Sequence, residues 1–373
     1  MTRHEEEIET AIWIPLTPDD VPRLEGLLAE NKTFVTSTID TANPYCLADY
    51  LHHSINGGVP VYALLDRNLM SRVAELARGR HVDHSASGSG TDRVASACMA
   101  FLITAEVQIE PNISLYELAE SRENSNANEE LASFRLADHL HPQAYLEVAL
   151  GRAPGIHPDL IEQATTTVES RSQGSAEVNF AMPLRHWRRH RCVLTKIVRL
   201  ERSELSGEEK FHQLLDWSVH PGYFDAVALS FATRLFGRSK PGRMLKSACS
   251  NNIDRCLSGI RNVAWDLTYV SHWASEACKS EGERIWIFCT NDRVCADLAK
   301  VAVGSGEVLE SLFKANWTRS EALRLHNHYQ EAWSAVQSSA DRSVEIRERF
   351  ETIDELRGSI ERQIENDIAE AAG

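Results

Sequence analysis

Val59-Pro60-Val61-Tyr62-Ala63-Leu64-Leu65, followed by Asp66-Arg67-Asn68, is the stretch on which the fold turns. The run is short, apolar and rich in branched and aromatic residues, the mark of a buried strand. It stops at a carboxylate, and Leu69 to Arg78 then carries helical apolar spacing. The pattern recurs late in the chain. Arg284-Ile285-Trp286-Ile287-Phe288-Cys289 leads to Thr290-Asn291-Asp292-Arg293, and Val294 to Val303 again has helical spacing. Two strand–carboxylate–helix units predict an α/β core with Asp66 and Asp292 at the carboxyl ends of strands, where open α/β sheets place their sites. That geometry points to a divalent-metal site.

Bulk properties narrow the class. The chain has 373 residues, 43% hydrophobic and 25% charged, the proportions of a soluble globular protein. No apolar run approaches the ~20 residues that cross a bilayer. Met1 to Thr10 is Glu-rich without an apolar signal core, and the eight cysteines form no C-x-x-C pair. A cytoplasmic protein with reduced thiols is expected, with Cys289 as a small buried core residue. The net charge of −15 argues against a wholly basic nucleic-acid platform. Positive charge is nonetheless clustered. Leu184 to Arg202 holds Arg188, Arg189 and Arg191, and Arg234 to Lys246 holds Lys240, Arg243 and Lys246.

Organisation follows from punctuation and periodicity. Residues 1–55 read as an N-terminal extension, with a short strand at Ala11 to Leu16 and a helix start at Thr17-Pro18-Asp19-Asp20. Beyond strand 59–65 and helix 69–79, Arg93 to Ala105 reads as a helix and Val107 to Pro111 as a strand. Ser114-Leu115-Tyr116-Glu117 has capping-box spacing, and Ser121 to Glu130 reads as an exposed polar stretch. Residues 129–245 are mostly helical by pattern, and a helix from Gly242 to Val263 leads into Trp265 to Ser271. Thr318 to Glu370 is a charged helical tail whose Ile346, Phe350, Ile353, Leu356, Ile360, Ile364 and Ile368 form one apolar stripe. Packing on its own domain is the default for that stripe. Pairing with a second copy or a partner protein is the alternative.

Four acids carry the chemical argument: Asp66, Glu117, Asp266 and Asp292, in the order strand end, helix start, helix start, strand end. Mg²⁺ and Mn²⁺ take oxygen ligands, a few carboxylates completed by water and phosphate. Crowded carboxylates repel one another until a cation or a proton intervenes. Each acid also has an ordinary role to set against this. Asp66 can simply cap the helix that follows it, Asp292 can favour the positive end of its own, and Glu117 can be a capping-box partner. Asp266, between Trp265 and Leu267, is the hardest to explain as idle surface.

At these residues the chain resembles the PIN-domain nucleases. The carriers are LLDRNLMSRV (64–73), SLYELAE (114–120), NVAWDLTYVSHWASEA (262–277) and IFCTNDRVCADLA (287–299), the last being the most specific. The resemblance implies an α/β protein with a three-layer α/β/α core and a short, mostly parallel sheet. It implies Asp66, Glu117, Asp266 and Asp292 as catalytic metal ligands for Mg²⁺ or Mn²⁺, with Glu106, Glu110 and Glu120 as rivals of Glu117. Thr290 fills the hydroxyl position of the late motif, Asn68 a supporting position and Asn291 the variable one. The resemblance covers 57–121 and 243–310, so the core spans 56–310 with a mostly helical insertion at about 122–242 and a C-terminal tail at 311–373. The insertion departs from the shorter family pattern and is expected to build a channel, a lid or a partner surface.

The remaining candidates are weaker. His186 and His190 share i, i+4 spacing without a third ligand nearby, so a solvated basic helix is the ordinary reading. A phosphate-contacting run is the functional one, with Trp187 stacking on a base. Gly88-Ser89-Gly90 lacks P-loop spacing. His139/His141 and His326/His328 have no partners in sequence. The expectation is a cytoplasmic, metal-dependent endonuclease that binds nucleic acid, RNA by resemblance, in a toxin or phage-defence setting. A structure-selective DNA nuclease and a non-catalytic binding module that kept the fold are the rivals.

Overall fold

The computed structural model describes residues 14–36, 43–86, 89–171, 177–219, 223–238, 245, 247–279, 283–338 and 342–372. Four strands, Phe34–Thr36 (β1), Val61–Leu65 (β2), Gln108–Glu110 (β3) and Ile285–Cys289 (β4), form one mixed sheet in the order β1-β4-β2-β3 among these residues. β2 pairs in parallel with β3 and with β4, Leu64 opposite Phe288 and Leu65 opposite Cys289, while β1 joins β4 antiparallel. The sheet is small, and the rest of the fold is helical.

The first helices are α1 (Val21–Asn31), α2 (Leu47–Leu51, continuing into a π turn), α3 (Arg67–Ala77), α4 (Ser89–Thr104) and α5 (Asn112–Ser121). Next come α6 (Asn124–Ala137), α7 (Pro142–Ala149), α8 (Pro158–Arg171), α9 (Arg185–Glu201), α10 (Gly207–Val219) and α11 (Ala226–Phe236). The last are α12 (Ile253–Lys279), α13 (Arg293–Ala302), α14 (Gly306–Asn316), α15 (Arg319–Ser338) and α16 (Arg342–Ala372).

Period-two alternation divides the two central strands between two hydrophobic cores. Val61, Ala63 and Leu65 of β2, with Ile285, Ile287 and Cys289 of β4, enter a core built with α1, α3, α4 and α7. Leu64, Trp286 and Phe288 point the other way, into a core shared with α9, α10, α11, α12 and α13. Both faces of the sheet are thus covered, which is why both strands read as unbroken apolar runs.

Several sequence expectations need correction. Ala11 to Trp13 lie outside the described residues, and Ile14 to Leu16 form no strand. α1 starts at Val21 with Pro22 in its first turn, because Thr17 and Asp20 close a turn of their own (Asp20 N–H to Thr17 C=O, 3.0 Å). Ser114 caps nothing. α5 begins at Asn112, so Ser114 and Glu117 both lie inside the helix. Glu130 is buried rather than exposed, because it is paired with Arg67. Trp265 to Ser271 is the middle of α12, so Asp266 sits mid-helix and not at a helix start. From Ile353 onward the C-terminal stripe packs on its own chain, while the side chains of Ile346 and Phe350 lie outside the described residues. Ile353, Ile360 and Ile364 are buried, and α16 lies along α9 and α12.

Candidate active site

Asp66 ends β2 and Asp292 follows β4, so parallel pairing brings both to the same edge of the sheet. Both cap the next helix. Asp66 Oδ1 accepts from the Leu69 N–H at 2.8 Å, and Asp292 Oδ1 accepts from Val294 and Cys295 at 2.7 and 3.1 Å. Each cap is worth about 1 kcal/mol. The ordinary role therefore holds for both residues, and it does not account for what surrounds them.

Thr290 joins the two acids. Its hydroxyl, buried, donates to Asp66 Oδ2 at 2.6 Å and accepts from the Asp292 N–H at 3.0 Å. Backbone bonds fix this link to the sheet, from Asp66 N–H to Cys289 C=O and from Thr290 N–H to Thr33 C=O. The Asn291 backbone also serves Asp66 as a donor, while the Asn291 and Asn68 side chains are exposed.

Asp266 and Glu117 complete the group from the helices on the Phe288 side of the sheet. Burial pushes the Asp266 carboxyl well above the usual carboxylate range, and the charges acting on it are Glu117, Asp292 and Asp66. Burial likewise raises Asp66, against the pull of its hydrogen bonds and with Asp292 adding repulsion. Glu117 is raised to about 7 by burial, partly opposed by the Tyr269 hydroxyl, which donates to it at 2.9 Å, and by the charge of Arg67. Of the four, only Asp266 accepts no hydrogen bond and faces no cation among the described residues. Glu120 pairs with Arg261 and Glu110 accepts from the Asn112 N–H, so of the candidate second acids it is Glu117 that faces Asp66 and Asp266.

Oxygen donors alone suit Mg²⁺ or Mn²⁺. The placement is less complete than the chemistry. Among the described residues, no three of His, Cys, Asp and Glu stand close enough together to hold one metal ion. The four acids share an electrostatic neighbourhood without closing a coordination shell.

Two neighbours of this site lie within the quoted stretches but have no role assigned from sequence. Arg67 pairs with Glu130 and reaches the Ser114 hydroxyl at 3.1 Å, placing a cation beside Glu117. Tyr269, fully buried, lies one helical turn from Asp266 on α12 and holds Glu117. The i, i+3 spacing from Asp266 to Tyr269 was the one available signal for it.

The basic run of α9 has intramolecular partners. Arg188 meets Asp354 at 2.6 Å, Arg189 meets Asp225 at 2.8 Å and Arg191 meets Glu361 at 3.3 Å. Trp187 is buried and stacked on Trp265 at 5.2 Å, so it is no platform for a base. His190 is no solvated residue either. It is buried between Asp225 (3.0 Å) and the Thr268 hydroxyl (2.9 Å), tying α9 to α12 and to the start of α11. Lys240, Arg243 and Lys246 lie outside the described residues. His328 stacks on His212 at 4.8 Å and contacts Asp216 at 3.0 Å, which are the partners the sequence did not reveal.

Comparison with known proteins gives no match: no family model fits the chain, and neither a curated protein nor a solved structure is matched by it.

Proposed function

We propose that this chain is a PIN-like, metal-dependent endonuclease with RNA as its substrate, built on an α/β/α core that a helical insertion interrupts. The observation that carries the reading is Asp266. A carboxylate held mid-helix, without a donor or a cation and faced by three other acids, opposes folding stability. Such an arrangement is characteristic of sites that bind cations or move protons. The sheet edge where Asp66 and Asp292 stand is where open α/β folds bind ligands.

In this reading Asp66, Asp266 and Asp292, with Glu117 at the margin, would hold Mg²⁺ or Mn²⁺ only after drawing closer together than they stand among the described residues. The bound ion would supply an activated water and neutralise charge on the phosphate. The chain's own residues do the positioning. Thr290 fixes Asp66 relative to Asp292, Tyr269 orients Glu117, and Arg67 offsets part of the local negative charge. Lys240, Arg243 and Lys246 remain proposed phosphate contacts, whereas Arg188, Arg189 and Arg191 would have to exchange their carboxylate partners to serve. A toxin or phage-defence role is the setting we propose for a nuclease with this insertion.

One observation favours a second reading, a non-catalytic binding module: the described residues do not close a metal shell. Incubation of purified protein with labelled single-stranded RNA, single-stranded DNA and flapped duplex, with and without Mg²⁺ or Mn²⁺, separates the readings. The nuclease reading expects metal-dependent RNA cleavage that disappears in Asp292→Asn. Cleavage confined to DNA reassigns the substrate, and no cleavage with either metal leaves the binding module.

A further inference from the structure

α10 and α15 are joined by a pair of histidines that the proposed chemistry does not use. His212 of α10 and His328 of α15 stack with ring centroids 4.8 Å apart and planes 28° apart. Their Nδ1 atoms face each other at 2.6 Å. His328 Nε2 lies 3.0 Å from Asp216 Oδ1, and His212 Nε2 lies 3.9 Å from Glu208 Oε1. Arg324 of α15 holds Glu208 through two hydrogen bonds, at 2.8 and 3.0 Å. Glu208, His212 and Asp216 follow one another at i, i+4 spacing, so one face of α10 presents all three. The charged groups facing the pair are thus Glu208 and Asp216 from α10 and Arg324 from α15.

Two ring nitrogens that close have room for one hydrogen between them. When both rings are neutral, His328 donates its Nε2–H to Asp216, and its bare Nδ1 accepts from His212. One added proton is tolerated, because it can rest on His212 Nε2, toward Glu208, and the Nδ1 pair still shares a single hydrogen. A second added proton is not. Both Nδ1 atoms then carry a hydrogen, and two cationic rings are stacked on each other. Burial lowers the His212 pKa, and the charge of His328 lowers it further. Glu208 and Asp216 oppose that shift, and Arg324 reinforces it. The His212 and His328 side chains are 36% and 24% exposed, so water reaches the pair and delivers the proton.

We propose that His212 and His328 form a pH-sensitive latch between α10 and α15, closed with at most one added proton and released by the second. The latch sits beside an aromatic cluster. Phe211, next to His212, meets Phe313 and Trp317 at 5.7 and 6.3 Å, and Tyr329, next to His328, meets Phe313 at 6.0 Å. Release weakens the hold of α15 on that cluster. The unfolded chain takes up protons at the ordinary histidine value of 6.5, whereas the folded pair resists them. The contribution of the latch is therefore fully present above pH 6.5 and is lost as pH falls below it. The inference stands independently of the nuclease reading, because it concerns neither the acid cluster nor a bound metal.

Hydrogen exchange of the α15 amides in the full chain, corrected for intrinsic rates and followed from about pH 8 to 5, tests it. One proton taken up on opening makes opening at most about tenfold more favourable per pH unit, so wild-type opening should rise about three- to tenfold per unit below pH 6.5. His212→Phe and His328→Phe keep a flat ring and abolish the shared hydrogen, so each should lose this acid-induced rise. The double variant should lose no more than either single one, because the two rings act as a unit. His212→Gln keeps a donor that does not titrate, and it too should stay closed in acid, which covers the case of a ring variant that folds poorly. Reading every variant against wild type removes the titration of the chain's other groups. Parallel pH profiles in wild type and variants, or effects of the two histidines that simply add, overturn the proposal.

Discussion

Asp266 is the most informative residue, because burial and three neighbouring acids all raise its carboxyl. Its carboxylate is flanked by Glu117, Asp66 and Asp292 and receives no hydrogen bond among the described residues. Asp266→Asn keeps the shape and removes the charge. Thermal melting without divalent ions should show a higher Tm for the variant, while metal-dependent cleavage falls to background. An unchanged or lower Tm would mean that the charge is compensated in a way the packing does not reveal. Glu117 gives a matching pH dependence. Its folded pKa of about 7 lies above the ordinary 4.5, so between those values the folded chain retains a proton that the unfolded chain has released. Its contribution is fully present below pH 4.5 and is lost as pH rises through 7, at most about 1.4 kcal/mol per pH unit. Denaturant midpoints of wild type and Glu117→Gln from pH 4.5 to 8 should therefore converge at the acid end and separate above it, the variant being the more stable. Parallel profiles would show that Glu117 does not titrate in this window.

At the scale of elements, α9, α12 and α16 form the scaffold behind the site. The arginines of α9 meet acids of α16 on one side, and His190 joins Thr268 of α12 on another. Arg188 and Arg191 are partly exposed, so each pair contributes roughly 0–1 kcal/mol. Replacing both by Gln should lower stability by at most about 2 kcal/mol, most of it suppressed at high salt. A large loss of nucleic-acid affinity in the same variant, with its melting unchanged, would instead return these residues to a phosphate-binding role. Close packing gives a sharper prediction on α12. A Cβ on Gly259 would overlap the backbone of Ala248, at 2.3 Å from its nitrogen. Alanine is the better helix former by about 1 kcal/mol, yet overpacking typically costs about 1–3 kcal/mol, and backbone atoms yield less than side chains. Gly259→Ala should therefore destabilise, as denaturant unfolding will report. Stabilisation would mean that the 247–249 turn moves aside freely.

For the molecule as a whole, the sequence was most legible where period and burial agreed. β2 and β4 are buried on both faces, so their apolar runs stood out, and the carboxylates after them marked the following helices correctly. Reading failed where tertiary contacts override local signals. Ser114 has capping spacing but sits inside the first turn of α5 because Asn112 already begins the helix. The arginines of α9 look like a phosphate-binding run because their acidic partners lie far along the chain, at Asp354 and Glu361. The apolar stripe of α16 was visible, but not what it covers. Ile353 and Ile364 are fully buried in the same core as Val193 and Ile197 of α9 and Phe288 of β4. Burying an isoleucine contributes about 1.5–3 kcal/mol, so α16 completes this core and is no detachable tail. A chain ending at residue 338 should expose that apolar surface, melt at lower temperature, bind a hydrophobic dye and self-associate at concentrations where the full chain does not. Equal melting and dye binding in the shortened chain would show that the core closes without α16 and that the helix serves a partner instead.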